Sequence, residues 1–469
     1  MRITDRDLDK VIKAYDVRGT YPDQLDEDLA HAVGAAFVRV LGIRAADGGA
    51  GAVVIGHDMR PSGPGLVASF AEGVREQGCD VILIGLCSTD GLYYAAGALG
   101  LPGAMFTASH NPAQYNGIKL CRAGAAPVGQ ESGLREIRRM VEDGVPSFDG
   151  PLGEVREQDV LPGYAGYMRE LVDVSSIRPL KVVVDAGNGM GGFTVPAVLG
   201  SAAGLPALPL DVDAMYFELD GSFPNHEANP IEPENLRDLQ ARVREVGADI
   251  GLAFDGDADR CFIVDERGEI VSPSTLTALI AARELAKDPG ANVIHNLITS
   301  KAVPEVILEN GGVPVRTRVG HSFIKATMAD TNAVFGGEHS GHFYFRDFWR
   351  ADSGMLAALH ALAALGETPA GTTLSSILAP YDRYSVSGEI NTEVADQAAV
   401  TAAIRAEFEA RGGVEIDDLD GLTFTGDTWW FNVRPSNTEP LLRLNVEAAT
   451  PEQMQALRDE VLAMMRAGE

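Results

Sequence analysis

Three carboxylates stand at alternate positions of one short segment, at Asp255, Asp257 and Asp259, between two apolar runs. Alternate residues of an extended or looped chain share one side, so these oxygens can converge on a single cation. Ligand sets made only of oxygen favour Mg²⁺, Mn²⁺ or Ca²⁺ over zinc. Arg260 follows directly and offers a fixed positive charge to an anion that such a metal holds. Phosphate is the anion that this pattern favours.

Two other interpretations of the acidic segment stay open on these residues alone. An EF-hand loop also has acids at positions one, three and five, and Glu266 would supply its acid at position twelve. Position six of that loop is normally glycine, however, and here it is Arg260. The flanking runs are also strand-like, whereas an EF-hand has flanking helices. The third interpretation is a solvated acidic turn.

The segment 107–112, Thr-Ala-Ser-His-Asn-Pro, places a serine among small and turn-forming residues. On an exposed bend Ser109 is a candidate nucleophile. It lacks the Gly-x-Ser-x-Gly elbow of hydrolases, and we expect that His110, as its immediate neighbour, does not curl back to act as its base. Lys119 follows in the same region. A purely structural turn is the alternative.

Two later loops carry groups suited to a phosphorylated sugar. In 336–342, the carboxylate, hydroxyl and imidazoles between glycines can bind sugar hydroxyls, although a flexible polar loop is the alternative. The second loop lies in the tail, where hydroxyls, an amide and arginines form a candidate phosphate cradle. Its candidate residues are Arg434, Ser436, Asn437, Thr438 and Arg443.

Two arginines near the start of the chain follow an acid at the end of a short strand-like run. Gly19 after Arg18 lets the backbone approach a ligand, so Arg18 is the better functional candidate. Arg60 is interpreted as a structural partner of Asp58.

A glycine run at 187–192 matches Gly-x-Gly-x-x-Gly after a strand-like run, and an acid, Asp211, follows further on. This pattern is typical of a dinucleotide site. The helix after it is short and contains Pro196, which argues against a nicotinamide-dependent dehydrogenase.

Composition narrows the class of protein. A chain of 469 residues suits three or more domains, and its net charge of -29 argues against a nucleic-acid partner. No apolar stretch is long enough to span a membrane, and the charged start does not read as a secretory signal. The four cysteines lack metal-site or disulfide spacing, so we expect reduced thiols in a cytoplasmic protein.

The elements that must position these loops follow a repeated order of strand, polar loop, helix and second strand. Copies begin near residues 52, 182 and 293, which predicts three similar layered α/β domains. A helical stretch is predicted over 354–379. The tail beyond it reads as helix 395–411, strands 422–433 and 441–447, and helix 451–466, which predicts a smaller α+β domain.

Taken in order, the serine segment, the triple acid, the sugar loop and the phosphate loop resemble the α-D-phosphohexomutases, closest to the bacterial phosphomannomutase/phosphoglucomutase branch. The resemblance implies three related mixed-sheet α/β domains and a smaller C-terminal α+β domain around a central cleft. The corresponding expected boundaries are 1–153 for the domain with the serine loop, 154–268 for the metal loop, 269–382 for the sugar loop and 383–469 for the phosphate loop.

The same resemblance implies the chemistry. Ser109 is expected to be carried as phosphoserine, and Mg²⁺ is expected to bind the three aspartates and a phosphoserine oxygen. A hexose 1-phosphate would then be converted to hexose 6-phosphate through a hexose 1,6-bisphosphate. The residues implied in phosphoryl or proton transfer are Ser109, His110, Lys119, Arg260, Arg18 and His342. Those implied in substrate binding are His321, Lys325, Glu338, Ser340, Arg434, Ser436, Asn437, Thr438 and Arg443.

Thr107 and His339 favour mannose or glucose as the hexose. Phosphoglucosamine mutase and a non-catalytic sugar-phosphate-binding protein are the alternatives. The expected partner is a small phosphosugar, with no nucleic acid or membrane, and the expected state is a monomer or weak homodimer.

Overall fold

The structure is a computed structural model that describes residues 6–44, 51–435 and 441–466, with only the backbone described at 321 and 322. The chain forms two compact units. The first consists of Met1–Ser272 with Ser340–Ile377, and the second of Pro273–His339 with Leu378–Glu469.

The first unit begins with a six-stranded mixed sheet in the order β1-β5-β4-β2-β3-β6. Strands β4, β2, β3 and β6 run parallel, and β5 is antiparallel to both β1 and β4. The carboxyl ends of parallel strands share one edge, so the loops after β2, β3 and β4 lie together. The elements are β1 (Val17–Thr20), α1 (Glu27–Leu41), β2 (Ala52–His57), α2 (Gly63–Glu76), β3 (Asp80–Leu86), α3 (Thr89–Leu99), β4 (Gly103–Phe106), β5 (Tyr115–Cys121), α4 (Leu134–Asp143) and β6 (Val155–Glu157).

A second mixed sheet of the same unit has the order β11-β10-β9-β7-β8. β7 runs parallel to β8 and β9, whereas β10 is antiparallel to β9 and β11. Both β9 and β10 are entirely buried, which fixes the ends of the loop that joins them. The elements are α5 (Leu161–Leu171), β7 (Leu180–Asp185), α6 (Gly191–Val198), β8 (Leu210–Met215), α7 (Arg237–Val246), β9 (Ile250–Phe254), β10 (Cys261–Val264) and β11 (Ile270–Val271).

The third stretch of the chain contributes to both units. In the second unit β12 pairs in parallel with β13 and β14, and in the first unit β15 and β16 are antiparallel. The elements are α8 (Pro273–Lys287), β12 (Asn292–Asn296), α9 (Ala302–Glu309), β13 (Val313–Thr317), α10 (His321–Thr331), β14 (Phe335–Gly337), β15 (Phe343–Phe345), β16 (Ala351–Asp352), α11 (Gly354–Gly366) and α12 (Leu374–Leu378).

The tail forms an antiparallel sheet in the order β17-β21-β20-β19-β18, with two helices whose apolar residues share its buried core. The elements are β17 (Ser385–Glu393), α13 (Gln397–Arg411), β18 (Glu415–Asp417), β19 (Leu422–Thr425), β20 (Trp429–Pro435), β21 (Leu441–Ala448) and α14 (Pro451–Arg466).

The predicted fold class is confirmed by the mixed α/β sheets and the antiparallel tail. Two predicted elements are wrong in extent. The helix predicted over 354–379 is two helices, because Pro369 and Gly371 interrupt it with a turn. The strand predicted over 422–433 is two strands joined by a hairpin turn at Gly426. Within the described residues, no helix is both long enough and apolar enough to cross a bilayer.

Candidate active site

Ser109 lies in the loop after β4, and its backbone has the left-handed φ of 49°. Non-glycine residues rarely adopt this conformation, so the loop must be held by its surroundings. The N–H of Ser109 donates to Oγ1 of Thr107 at 2.8 Å. Its hydroxyl donates to Oδ2 of Asp255 at 2.8 Å. The structure therefore brings the predicted nucleophile directly against the predicted metal loop.

Arg60 holds the same loop by hydrogen bonds to the loop's carbonyl groups. Its guanidinium is buried and donates to the carbonyl oxygens of Ser109, Asn111, Pro112 and Tyr115 at 2.6–2.9 Å. These contacts agree with the structural role that the sequence suggested for Arg60.

Arg18, which we predicted to contact a ligand, also reaches this loop. It donates to Oδ1 of Asn111 at 2.7 Å and to Oδ2 of Asp16 at 2.5 Å. It also donates to the carbonyl oxygen of Ala108 at 3.4 Å, so in the structure it braces the serine loop together with Arg60.

The three acids occupy the loop between the antiparallel strands β9 and β10. Asp255, Asp257 and Asp259 are buried, and each offers an oxygen within 4.8 Å of the others. Oδ1 of Asp257 and Oδ1 of Asp259 are buried without a hydrogen-bond partner among the described residues. Buried carboxylate oxygens in that position fit a hard divalent cation such as Mg²⁺.

The strands on either side exclude the EF-hand interpretation, which needs helices. Glu266, the residue that would have completed an EF-hand, instead accepts the N–H of Ser375 at 3.0 Å. The burial of all three acids likewise excludes a solvated acidic turn.

The glycine run supports the metal loop and does not form an open anion site. The N–H of Met190 donates to the carbonyl oxygen of Gly256 at 2.9 Å. A Cβ on Gly189 would lie 2.7 Å from that same oxygen, and a Cβ on Gly256 would lie 2.3 Å from the carbonyl oxygen of Ser109. Glycine is needed at both positions because three backbone segments meet without room for a side chain. Close backbone packing therefore accounts for the glycine at position 189 in the run that resembled a dinucleotide fingerprint.

Lys119, on β5, lies between two of the acids. Its Nζ donates to Oδ2 of Asp257 at 2.7 Å and to Oδ2 of Asp259 at 2.6 Å. Burial by itself lowers the pKa of Lys119, but the two carboxylates outweigh it and raise this pKa well above its ordinary value. The amine is therefore charged in this arrangement and neutralises part of the acidic loop.

Arg260 links the acidic loop to His110. Its Nε donates to Oδ2 of Asp255 at 3.0 Å, and its Nη2 lies 2.7 Å from Nδ1 of His110. Burial, followed by the charges of Arg260 and Arg18, lowers the pKa of His110 to about 3. The imidazole is therefore neutral at pH 7, and its Nδ1 accepts from the guanidinium.

One expectation about His110 is wrong. Its Nδ1 lies 3.2 Å from Oγ of Ser109, although we expected that the neighbouring imidazole would not curl back. The left-handed backbone at Ser109 makes this approach sterically accessible. The lowered pKa nevertheless makes His110 a weak base in this state.

His342 approaches the acids from the loop before β15. Its Nε2 lies 3.9 Å from Oδ1 of Asp259, and its Nδ1 lies 2.9 Å from Oγ of Ser340. Asp259, His342 and Asp352 form a second set of groups with metal-ligand spacing. Thus Ser340, predicted to bind sugar hydroxyls, orients His342 beside the acidic loop.

Sequence reasoning missed the residues at the start of α3 that contact the acidic loop or support that contact. Thr89 donates its hydroxyl to Oδ2 of Asp257 at 2.6 Å. Next to it, the buried Asp90 accepts from the hydroxyls of Ser88, Tyr164 and Ser353. The sequence Ser-Thr-Asp after a strand signals a helix N-cap, but it gives no sign of a partner 168 residues away.

In the second unit, two predicted sugar-binding residues are buried. Glu338 is 2% exposed and accepts the N–H of Gly320 at 3.2 Å, and Lys325 is 4% exposed. His321 begins α10, but its side chain lies outside the described residues. The carboxylate of Glu338 is thus tied to the loop that leads into α10.

Two arginines of the predicted phosphate cradle face each other on neighbouring strands, because Arg434 pairs with Arg443. Both form ion pairs with Glu389, at 2.8 and 3.3 Å. Ser436, Asn437 and Thr438 lie outside the described residues. The structure therefore gathers two cations on the two paired inner strands β20 and β21, with one carboxylate that contacts both.

Comparison with known proteins places these features in a family. The models of the four phosphoglucomutase/phosphomannomutase domains match in order: α/β/α domains I, II and III match residues 9–145, 162–268 and 272–384, and the C-terminal domain matches 389–464. The chain belongs to the phosphoglucomutase/phosphomannomutase family. The family resemblance predicted from four motifs is confirmed.

Individual relatives agree with this assignment. The chain is 41% identical to a protein of Xanthomonas campestris named phosphohexose mutases, over 93% of this chain and 94% of that protein. It is 39% identical to an Escherichia coli phosphomannomutase, over 97% and 98% of the two chains. A solved structure of a phosphoglucomutase/phosphomannomutase family protein from Burkholderia thailandensis superimposes with a TM-score of 0.86 at 31% identity, covering 98% of this chain and 97% of that one.

Proposed function

We propose that this protein reversibly interconverts hexose 1-phosphate and hexose 6-phosphate, with mannose or glucose as the sugar, through a hexose 1,6-bisphosphate. The observation that carries the proposal is the 2.8 Å contact between the Ser109 hydroxyl and Asp255 within a buried loop of three acids. Family membership supports the same reaction, and the names of the relatives favour mannose or glucose over the glucosamine alternative.

The proposed reaction begins with phosphoserine at position 109. A free hydroxyl of the sugar phosphate attacks the phosphorus, a new P–O bond to the sugar forms and the P–O bond to Oγ of Ser109 breaks. A basic side chain of the site takes the hydroxyl proton, and an acidic one returns a proton to Oγ. In the second half, the other phosphate of the bisphosphate returns to Oγ and leaves the isomeric monophosphate. Such transfers depend mainly on alignment and charge neutralisation.

The residues that supply charge are already gathered. We propose that Asp255, Asp257 and Asp259 hold Mg²⁺ with an oxygen of the phosphoserine; when bound, the ion neutralises charge on the transferring group. Arg260 faces the same site and its guanidinium is fixed by Asp255, so it is proposed to bind phosphate oxygens.

The four proton-transfer candidates differ in their contacts. Arg18 is a permanent cation that braces the serine loop, and His110 is a weak base with an occupied Nδ1. Lys119 is protonated between two carboxylates, and His342 faces Asp259. We therefore propose that His342 accepts the proton of the attacking hydroxyl and that the protonated Lys119 donates one to the departing Oγ of Ser109. Arg18 and His110 are given the task of positioning the phosphoserine.

Substrate binding is proposed for residues of the second unit, together with Ser340 of the first. Glu338 would accept from sugar hydroxyls, and the paired guanidiniums on β20 and β21 would bind the phosphate that is not transferred. The full proposed set is His321, Lys325, Glu338, Ser340, Arg434, Ser436, Asn437, Thr438 and Arg443. The division of the chain at 153, 268 and 382 remains a proposal with them.

A substitution at the serine tests the proposal. Ser109→Ala removes the phosphoryl acceptor but leaves the backbone contacts of the loop, so we expect loss of mutase turnover with an unchanged thermal unfolding midpoint. Turnover is measured side by side with mannose 1-phosphate, glucose 1-phosphate and glucosamine 1-phosphate. Full rates in the variant would refute the role of Ser109. A clear preference of the wild type for glucosamine 1-phosphate would refute the proposed sugar.

A further inference from the structure

Thr89, the first residue of α3, donates two hydrogen bonds to Asp257, the second acid of the metal loop. Its Oγ1 donates to Oδ2 of Asp257 at 2.6 Å, and its backbone N–H donates to the carbonyl oxygen of Asp257 at 3.0 Å. The threonine side chain is fully buried. The first residue of α3 thus fixes both the side chain and the main chain of an acid in the loop between β9 and β10.

The hydroxyl decides which oxygen of Asp257 is left for a cation. Oδ2 accepts from Thr89 and from Nζ of Lys119, so its lone pairs are engaged. Oδ1 is buried and has no hydrogen-bond partner among the described residues. A carboxylate held in this way cannot rotate freely about its Cβ–Cγ bond, and Oδ1 is the oxygen that stays available to a cation.

We infer that Thr89 is a positioning residue for the metal site, which orients Asp257 without itself binding the ion. The inference rests on the proposed function because it takes the three acids as the metal ligands. Groups that hydrogen-bond to a ligand commonly tune metal affinity by 10–100-fold. The Thr89 hydroxyl meets that description, because it donates its proton to Oδ2 of Asp257 and leaves Oδ1 of the same carboxylate for the ion.

Thr89 is itself held rigidly, as a positioning residue must be. The Ser88 hydroxyl caps α3 by accepting the N–H of Gly91 at 3.1 Å. On the other side, Asp90 accepts from Tyr164 at 2.9 Å and from Ser353 at 2.7 Å. The turn that carries Thr89 is therefore tied to its own helix and to two further segments of the first unit.

Metal binding by unphosphorylated protein tests this inference without turnover. Thr89→Val removes the hydroxyl and keeps the branched shape, whereas Thr89→Ser keeps the hydroxyl. We expect Mn²⁺, titrated into the protein and followed by electron paramagnetic resonance, to bind roughly 10–100-fold more weakly to Thr89→Val and within about threefold of wild type to Thr89→Ser. At saturating metal, kcat of Thr89→Val should recover most of its loss, which a general packing defect would not allow.

Thr277→Val is the matched control. Thr277 is also buried in a helix, and its hydroxyl donates to the carbonyl oxygen of Pro273 in the second unit. It should leave Mn²⁺ affinity unchanged. If Thr89→Val does not fold, Thr89→Ala replaces it, with Thr89→Ser again as the rescuing variant.

Unchanged Mn²⁺ affinity in a folded variant without the hydroxyl would overturn the inference, as would an equal loss in Thr89→Ser. Its failure is distinguishable from failure of the proposed function. A protein that binds Mn²⁺ with this dependence on Thr89 but does not turn over hexose phosphates would refute the function and leave the positioning role intact.

Discussion

Asp90 makes the stability of this protein depend on pH in a direction opposite to that of an ordinary surface carboxylate. It is 1% exposed, and burial raises its pKa to about 7 despite hydrogen bonds from three hydroxyls. An acid whose pKa is higher in the folded state binds more protons there than in the unfolded chain. Stability is therefore lost as the pH rises from the pKa of Asp90 in the unfolded chain, near 4, to its pKa in the folded state.

The magnitude follows from these two pKa values. Between pH 5 and pH 8, a shift from 3.8 to about 7 lowers the free energy of unfolding by roughly 3 kcal/mol. Asp90→Asn cannot ionise and keeps an acceptor oxygen for Tyr164 and Ser353. We therefore expect the wild type to lose about this much stability relative to the variant over that pH range.

Urea unfolding of both proteins at pH 5, 6, 7 and 8 measures the difference. Asp173→Asn is the control, because Asp173 is exposed and a hydrogen bond from Ser175 lowers its pKa, so its titration is complete below pH 5. Its stability should follow the wild type at every pH. Parallel pH profiles for the wild type and Asp90→Asn would refute the reasoning.

Two other changes probe the acidic loop. Lys119→Met removes the cation between Asp257 and Asp259, and leaving a buried charge unpaired costs about 3–5 kcal/mol. Without metal, the variant should therefore melt at a lower temperature than the wild type. Mg²⁺ should raise the melting temperature of the variant by more than it raises that of the wild type, which a thermal shift assay with and without the ion measures. Gly256→Ala places a Cβ 2.3 Å from the carbonyl oxygen of Ser109, so the serine loop must move and turnover should fall by about 100-fold.

Each of these predictions has a clear contrary result. For Lys119→Met it is equal stabilisation of variant and wild type by Mg²⁺. For Gly256→Ala it is a rate close to that of Gly166→Ala, a control in the middle of α5 where an added Cβ meets nothing within 4 Å.

Local pattern predicted the elements that carry the site. The apolar runs on both sides of the acids are the strands β9 and β10, and the alternate spacing of the acids does bring their oxygens together. Helix α14 lies at the predicted 451–466. These features depend on neighbours in sequence, so periodicity and turn chemistry are enough to find them.

The missed features depend on contacts between distant segments. Thr89 and Asp257 meet only after two sheets have packed, and no local signal joins them. The approach of His110 to Ser109 depends on a left-handed backbone that Arg60 holds from another strand end. The residues after the Gly187–Gly192 run were reason to reject a dinucleotide site there, but the packing of Gly189 against Gly256 is visible only in three dimensions.

The central claim is that Ser109 carries the phosphoryl group. The most direct test incubates the protein with Mg²⁺ and glucose 1,6-bisphosphate, digests it and locates phosphate by mass spectrometry. We predict one phosphate on Ser109, which mannose 1-phosphate or glucose 1-phosphate then removes as the bisphosphate forms. Phosphate on another residue, or no phosphate in a preparation that turns over substrate, would contradict the account.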